Sequence, residues 1–157
     1  MAQAHRIDID RSDLSRLDDP SLLRSFSYVD GKWTAASDGA SLRVSNPADG
    51  SAFGSVAALG PDDSAKAVNA AQAAFEGWAA LLPQERSKIL RRWFELMGEH
   101  REDLARIMVL EQGKPISEAR GEIDYAAAFI EFYAEEAKRP NIESVTSHLP
   151  DAEVEVW

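Results

Sequence analysis

Cysteine is absent from this 157-residue chain, and its absence removes three kinds of chemistry at once. Without a thiol, the chain forms no disulfide, builds no cysteine-ligated zinc site and offers no thiolate nucleophile. Basic residues are also few, because 17 Lys and Arg stand against 27 Asp and Glu, for a net charge of −10. This balance repels phosphate backbones and argues against nucleic acid as a partner.

Long apolar runs are missing as well. No stretch approaches the roughly 20 residues that a transmembrane helix needs, and Met1 to Asp10 has neither the apolar segment nor the cleavage site of a secretory signal. We therefore expect a cytoplasmic protein with no membrane partner. The nine glycines form neither GxGxxG nor GxxxxGK[ST], so the chain alone is not expected to bind a dinucleotide.

Alternating apolar residues predict two β-hairpins in the first third of the chain. The first is centred on Asp30-Gly31, a dipeptide that suits a tight turn. The second is centred on turn residues 46–50, with Val44 before them and Phe53 after them. We expect a small antiparallel sheet that follows a loosely held lead-in over residues 1–25.

Beyond the hairpins, the apolar period changes from two residues to about 3.6, which predicts a series of long helices. They are expected from Pro61 to about Ala80, from Pro83 with an interruption near Gly98, onward to Gly113, and from about Ile116 to Lys138. Alanine dominates one face of the first helix, which permits close packing against a neighbour. Glu153 to Trp157 then alternates as a strand with no partner and no turn, and this ending predicts truncation.

Carboxylates along the last predicted helix could in principle supply an acid and a base. Their spacing, with Lys138 and Arg139 nearby, instead indicates a solvated helix face. These carboxylates are Glu118, Glu122, Glu131, Glu135 and Glu136. The three histidines are far apart in the sequence and lack the spacing of metal ligands.

Residues 110–139 read LEQGKPISEARGEIDYAAAFIEFYAEEAKR and resemble the aldehyde dehydrogenase superfamily. The N-terminal region of that family carries an E-x-G-K-P-x-x-E-A element, matched here at Glu111 to Ala119, followed by a long helix. The continuation from Gly121 to Glu136 resembles the succinate-semialdehyde dehydrogenase branch. Two earlier segments agree with the family: YVDGKW at Tyr28 to Trp33 and SNPADG at Ser45 to Gly50.

The resemblance implies an α/β fold of the aldehyde dehydrogenase type, of which this chain is the N-terminal portion. That portion comprises small antiparallel hairpins, three to four long helices, and the first strand of the oligomerisation arm. It divides the chain into a flexible lead-in at 1–25, the N-terminal part of the dehydrogenase domain at 26–139, and the start of the arm at 140–157. The sequence of residues 140–150 differs from the one usual in the family.

In the family, a cysteine thiolate attacks an aldehyde, hydride passes to NAD or NADP, and hydrolysis releases the carboxylate. This chain has no cysteine, and the resemblance places the cofactor loop and the general base beyond its last residue. We therefore expect an N-terminal fragment of an NAD(P)-dependent dehydrogenase for an aldehyde such as succinate semialdehyde. Alone, it is expected to be inactive and to bind no cofactor. The implied partners are further copies of the chain or the remainder of the dehydrogenase.

Two sites are implied by the same resemblance. A structural monovalent cation would lie between the main-chain carbonyls of Val44 or Ser45 and the carboxylate of Glu111, with capping or a salt bridge by Glu111 as the alternative. Tyr125 and Phe129 match helix positions that face the substrate entrance, with ordinary core packing as the alternative.

A second class of function stays open, that of a non-catalytic helical interaction module which keeps the family's scaffold and binds a partner through exposed surfaces. An independent small enzyme that uses its carboxylates is a third. Because alanine-rich and aromatic helix faces prefer burial, we expect the chain alone to form dimers, higher oligomers or aggregates.

Overall fold

The computed structural model describes residues 17–139, 143–146 and 153–156. In this part of the chain, a 3-10 turn at Pro20–Leu22 is followed by small antiparallel sheets and long helices. The strands are β1 (Ser27–Val29), β2 (Lys32–Thr34), β3 (Ser41–Ser45), β4 (Ala52–Ala57), β5 (Glu143–Thr146) and β6 (Glu153–Val156). The helices are α1 (Pro61–Ala80), α2 (Pro83–Glu99), α3 (Arg101–Gln112) and α4 (Ile116–Glu136). The predicted order of hairpins and then helices is confirmed.

The first hairpin joins β1 to β2 through a two-residue turn at Asp30-Gly31. Both turn residues have positive φ, 51° for Asp30 and 74° for Gly31, which gives the twist that connects adjacent strands closely. Tyr28 pairs with Trp33 across the strands, with ring centroids 5.2 Å apart in an edge-to-face arrangement. The Arg24 guanidinium carbon lies 4.8 Å from the centroid of the Trp33 ring. The predicted tight turn is confirmed.

The second hairpin joins β3 to β4 and has a register shift between Val44 and Ser45. Phe53 of β4 is buried in one apolar cluster with Leu17 and Leu110. Because Leu110 belongs to α3, this cluster attaches the hairpin to the helices.

The helix boundaries follow the local sequence signals. Pro61 and Pro83 occupy the first positions of α1 and α2, where a missing N–H costs no hydrogen bond. Gly113 ends α3 with φ 68°, and its N–H donates to the Val109 carbonyl at 2.8 Å. Glycine adopts this left-handed conformation without a steric penalty. The last helix ends at Glu136 rather than at the predicted Lys138, a difference typical of a final turn.

The helical core lies where α3 meets α4. Ala105, Ala119 and Ile123 are buried there, with Met97 and Met108 packed against them. Ala105 and Ala119 have no accessible surface, so the two helix backbones approach closely at these small side chains.

Two helices, α1 and α2, expose apolar surface. No residue of α1 is buried, and its Phe75 is 59% exposed. Its alanine face, which permits close packing, therefore has no buried contact among the described residues. On α2, the apolar side chains of Ile89 and Trp93 are also exposed. In the part of the chain that the structure describes, no helix is both long and apolar enough to cross a membrane.

Ion pairs join α4 to the helices beside it. Arg91 of α2 contacts Glu131 and Glu135, the first at 2.7 Å, and Arg101 of α3 holds both carboxylate oxygens of Asp124 at 2.6 Å. The predicted solvated face is confirmed, because Glu122 pairs with Lys114, Glu131 and Glu135 with Arg91, and Glu136 with Arg139. Since these pairs are partly exposed, each stabilises the packing only modestly.

Residues 17–19, here called the strap, are held to α3 by one buried carboxylate. Asp103 is 3% exposed, and its two oxygens accept the main-chain N–H groups of Asp18 and Asp19 at 3.0 and 2.7 Å. Leu17 is buried against Leu110 and its neighbours. These residues fall within the predicted lead-in, of which residues 1–16 lie outside the described part of the chain.

The strand β6 has a partner, so the prediction that it has none is wrong. It pairs antiparallel with β5, from Glu143 opposite Val156 to Thr146 opposite Glu153. The four residues of β5 are too few to establish an alternation, so the sequence does not predict this strand. The assignment of 140–157 to an oligomerisation arm stays a prediction.

Asp63 fastens the start of α1 to the loop after β2. Its Oδ2 accepts the N–H and the hydroxyl of Ser37 at 2.9 and 3.0 Å, and its Oδ1 accepts the Lys66 ammonium at 2.9 Å. The Ser37 N–H contributes most, followed by Lys66 and the Ser37 hydroxyl, and together they lower the pKa of Asp63 from 3.8 to about 2.

Replacing Asp63→Asn is expected to remove a pH-dependent part of the free energy of unfolding. Because the folded pKa lies below the unfolded one, the ionised carboxylate stabilises the fold fully above about pH 4 and loses this effect as the pH falls toward about 2. Urea unfolding followed by circular dichroism should show the variant less stable than the parent at neutral pH and equal to it at the acid limit. The adjacent Asp62→Asn is the matched control and should follow the parent. A deficit that is constant across the pH range would contradict a role for the carboxylate charge.

Candidate functional site

The loop between β3 and β4, residues 46–51, folds into a turn that is closed by its own hydrogen bonds. The Asn46 N–H donates to the Ser51 carbonyl at 2.8 Å, and the Gly50 N–H donates to the Asn46 carbonyl at 2.8 Å. The Asn46 side-chain oxygen accepts the Ala48 N–H at 3.0 Å, and Asp49 accepts the Ser51 N–H at 2.8 Å. We call this segment the N-P turn.

The N-P turn lies against the break between α3 and α4, residues 111–116, which we call the GKP corner. A Cβ atom at Gly113 would lie 2.8 Å from the Cγ of Pro47, so the two segments touch with no room for a side chain. Within the corner, Lys114 pairs with Glu122 of α4. The fold therefore brings together the two sequence elements that most resemble the family, although they are distant along the chain.

A cleft of about 390 Å³ opens between the N-P turn and α3. Its lining residues are Asn46, Ala48, Arg106, Val109, Leu110, Gly113 and Ile116. The wall is mostly apolar, with one guanidinium from Arg106, whose Nη1 lies 3.7 Å from Asp103 Oδ1 in the carboxylate that holds the strap.

The predicted cation ligands lie at the edges of this region. Val44 is half-buried and Ser45 exposed at the end of β3, where the strand register shifts. Glu111 is exposed on the last turn of α3, two residues before Gly113. The two segments that carry these residues meet where Pro47 contacts Gly113, and the cation site itself stays a prediction. Within residues 17–139, no cluster of three or more His, Asp or Glu side chains is arranged to hold a metal ion.

The predicted entrance residues lie on the solvent side of α4. Tyr125 is 67% exposed and Phe129 47%, and their rings meet edge to face with centroids 4.8 Å apart. Phe132 and Tyr133 continue the exposed aromatic surface. Neither ring is packed in a core among the described residues, and their place at a substrate entrance stays a prediction. Because a helix rises about 1.5 Å per residue, Tyr125 lies on the order of 14 Å along the axis from the corner.

Asp103 and Arg106 were not singled out from the sequence. An acid in the first turn of a helix is usually explained by the helix dipole. That explanation gives no reason to expect that Asp103 also accepts hydrogen bonds from the strap. The main-chain partners of Asp103 lie 84 and 85 residues away, so no local pattern could have indicated them.

A sequence model of the aldehyde dehydrogenase family matches residues 33–156, which is most of the chain. The chain belongs to this family. It is 48% identical over 136 residues to the glutarate-semialdehyde dehydrogenase of Pseudomonas putida, and equally so to the NADP(+) succinate-semialdehyde dehydrogenase of Escherichia coli. Both alignments cover 87% of this aldehyde dehydrogenase chain and 28% of the relative. The family predicted from the motifs is confirmed.

Solved structures agree with the sequence relatives. The crystal structure of an aldehyde dehydrogenase from Brucella melitensis biovar abortus superposes with a TM-score of 0.84 at 46% identity, over 89% of this chain and 29% of that one. The present chain thus spans little more than a quarter of the length of the relatives it matches.

Proposed function

We propose that this chain forms the N-terminal portion of an NAD(P)-dependent dehydrogenase that oxidises a semialdehyde, such as succinate semialdehyde, to its carboxylate. The observation that carries the proposal is the 48% identity to two semialdehyde dehydrogenases, which extends through the GKP corner and α4. The chain contributes scaffold to such an enzyme. The thiolate and the cofactor loop come from other residues, because this sequence contains no cysteine. NAD or NADP would bind to that remainder.

Reassembly with the missing portion tests this function directly. The chain alone is expected to give no reduced nicotinamide with succinate or glutarate semialdehyde and NAD or NADP. Mixed or co-expressed with the C-terminal portion of the Escherichia coli relative, it is expected to restore turnover. The matched control pairs that C-terminal portion with the relative's own N-terminal portion. If the control pair turns over and the mixed pair does not, the proposal fails, and turnover by the chain alone would also overturn it.

The exposed ring pair on α4 has a proposed place in this function. Tyr125 and Phe129 would form part of an apolar wall at the substrate entrance, and their exposure and mutual contact support this. In the reassembled enzyme, Tyr125→Ala is expected to raise KM for the semialdehyde more than it lowers kcat, because a wall residue contributes to binding in the ground and transition states alike. An unchanged KM would show that Tyr125 does not line the substrate entrance.

For the GKP corner we propose a structural monovalent cation, held by the carbonyl oxygen of Val44 or Ser45 and the carboxylate of Glu111. A hard cation prefers oxygen ligands of this kind, and the contact of Pro47 with Gly113 brings the two segments together. The site joins the β3–β4 hairpin to the end of α3, so its role would be to fix that junction.

The Glu111→Gln variant tests the cation. The reassembled parent enzyme should unfold at a higher temperature in sodium or potassium chloride than in choline chloride of equal ionic strength. When the cation is present at about ten times its Kd, its binding should raise the free energy of unfolding by about 1.4 kcal/mol. The variant should show no difference between the salts. The matched control Glu118→Gln, an exposed acid on the first turn of α4, should behave like the parent. Equal unfolding of the parent in all three salts would dismiss the site.

A further inference from the structure

The dipeptide Asp-Gly occurs at three exposed turns of the chain, at 30–31, 38–39 and 49–50. All three glycines have positive φ, between 74° and 75°. Asp-Gly is chemically special because glycine has no side chain to shield its amide nitrogen. That nitrogen can therefore approach the carboxyl carbon of the preceding aspartate.

The reaction that follows is an isomerisation without a redox step. The glycine nitrogen attacks Cγ of the protonated aspartate, a C–N bond forms, and the side-chain hydroxyl leaves as water with the amide proton. The resulting cyclic imide then takes up one water molecule. Cleavage of one C–N bond regenerates aspartate, whereas cleavage of the other leaves isoaspartate, in which the main chain runs through the former side chain.

Hydrogen bonds at two of the three turns oppose this reaction. The Asp49 carboxylate accepts the N–H and the hydroxyl of Ser51 at 2.8 and 2.7 Å, and the Ser51 bonds also lower the pKa of Asp49. The Gly50 N–H is itself engaged with the Asn46 carbonyl at 2.8 Å. Both the attacking nitrogen and the carboxyl group are therefore held, and the carboxyl is kept ionised.

The turn at Asp38 is held in the same way by fewer bonds. Its carboxylate accepts the Ala40 N–H at 2.8 Å, and the Gly39 N–H donates to the Ala36 carbonyl at 2.9 Å. One bond on each reacting group must break before the imide can form.

The turn at Asp30 lacks both restraints. In a two-residue hairpin turn, the closing bond runs from the N–H of the fourth residue, here Lys32, to the carbonyl of Val29, so the Gly31 N–H takes no part in it. The Asp30 carboxylate is exposed and, among the described residues, accepts no hydrogen bond. Asp30 is also the non-glycine residue that the described fold holds at positive φ, a conformation that costs free energy.

We propose that Asp30 is the site where this chain first converts spontaneously to isoaspartate, ahead of Asp38 and Asp49. The change adds one main-chain carbon to a turn that has room for two residues, so it breaks the register that sets Tyr28 opposite Trp33. A chain that ages in this way loses its first hairpin before the rest of its fold.

The experiment is ageing of the purified folded chain at neutral pH, with methyl labelling by an isoaspartate methyltransferase and peptide mapping of the label. Because each hydrogen bond to be broken slows the reaction about fivefold and two must break at Asp38, label should accumulate at Asp30 about 25-fold faster than at Asp38. The urea-unfolded chain is the matched control, and its three sites should react at similar rates. Equal or faster labelling of Asp38 or Asp49 in the folded chain overturns the proposal.

Two variants make the test sharper. Asp30→Glu keeps the charge but cannot close a five-membered imide, so its peptide should stay unlabelled while Asp38 and Asp49 react as in the parent. Ser51→Ala removes one restraint on Asp49 and should raise labelling there about fivefold, because one hydrogen bond is lost. If Ser51→Ala leaves the Asp49 rate unchanged, hydrogen bonding does not set the order of the sites and the proposal falls.

Discussion

Asp103→Ala is expected to lower the free energy of unfolding by about 2–3 kcal/mol, because it removes a buried carboxylate that accepts two main-chain N–H groups. The strap would then lose its hydrogen bonds to α3, and the contact of Leu17 with Leu110 would be weakened. Asp103→Asn keeps one acceptor and should lose about half as much. Urea unfolding gives the stability, and limited proteolysis within the strap gives its release.

The control for Asp103 is Glu95→Gln. Glu95 is an exposed acid of α2 whose contact with Arg92 is long, at 3.4 Å, so its loss should leave the unfolding curve unchanged. If Asp103→Ala unfolds at the same urea concentration as Glu95→Gln, the strap contributes nothing to the fold and the clamp is only a geometrical coincidence.

Gly113→Ala is expected to destabilise the chain by about 2–4 kcal/mol through two separate effects. A side chain at φ 68° costs about 1–2 kcal/mol for the left-handed conformation alone. The new Cβ would also lie 2.8 Å from the Cγ of Pro47, and relief of that overlap must displace the N-P turn, at a cost typical of overpacking. Thermal or urea unfolding measures the total.

Two comparisons separate these effects. Gly39→Ala has φ 75° but meets no atom within 4 Å, so it should show the conformational cost alone. In a Pro47→Ala background, Gly113→Ala should cost less, because the contacting Cγ is gone. Should Gly113→Ala cost no more than Gly39→Ala, the contact between the N-P turn and the GKP corner would be looser than the fold indicates.

The elements that the sequence predicted well depend on residues close together in the chain. Asp30-Gly31 specifies a hairpin turn by itself, Pro61 and Pro83 fix helix starts, and Gly113 fixes a helix end. These signals act through the local backbone, so their effect does not depend on what packs nearby. The carboxylates of α4 are similar, since their spacing along the helix already indicated a solvated face.

The features that the sequence did not reveal depend on partners far along the chain. Nothing near Asp103 indicates that it holds Asp18 and Asp19. The short β5 likewise gains its strand character from pairing with β6. The alanine face of α1 is the clearest example. A face suited to close packing has the same sequence pattern whether its partner is another helix of this chain or a different polypeptide.

The candidate site divides in the same way. Motifs suggested Glu111, Val44 and Ser45 through the resemblance to a family. The meeting of their two segments became visible only in the packing of Pro47 on Gly113. For Tyr125 and Phe129, helical spacing could not separate the core from a surface wall, since both use one face of a helix. The exposure of both rings supports a surface role.

The attachment of the strap also determines when the strap can fold during synthesis of the chain. The strap leaves the ribosome early, yet the carboxylate that holds it belongs to a residue translated 84 to 85 positions later. At about 5–20 residues per second, this delay is roughly 4 to 17 s. During that interval the two hairpins, whose contacts are local, can already form. The strap, which is the first described segment to emerge, is thus among the last to reach its folded position. In a nascent chain arrested before α3, the strap would not be attached to any helix.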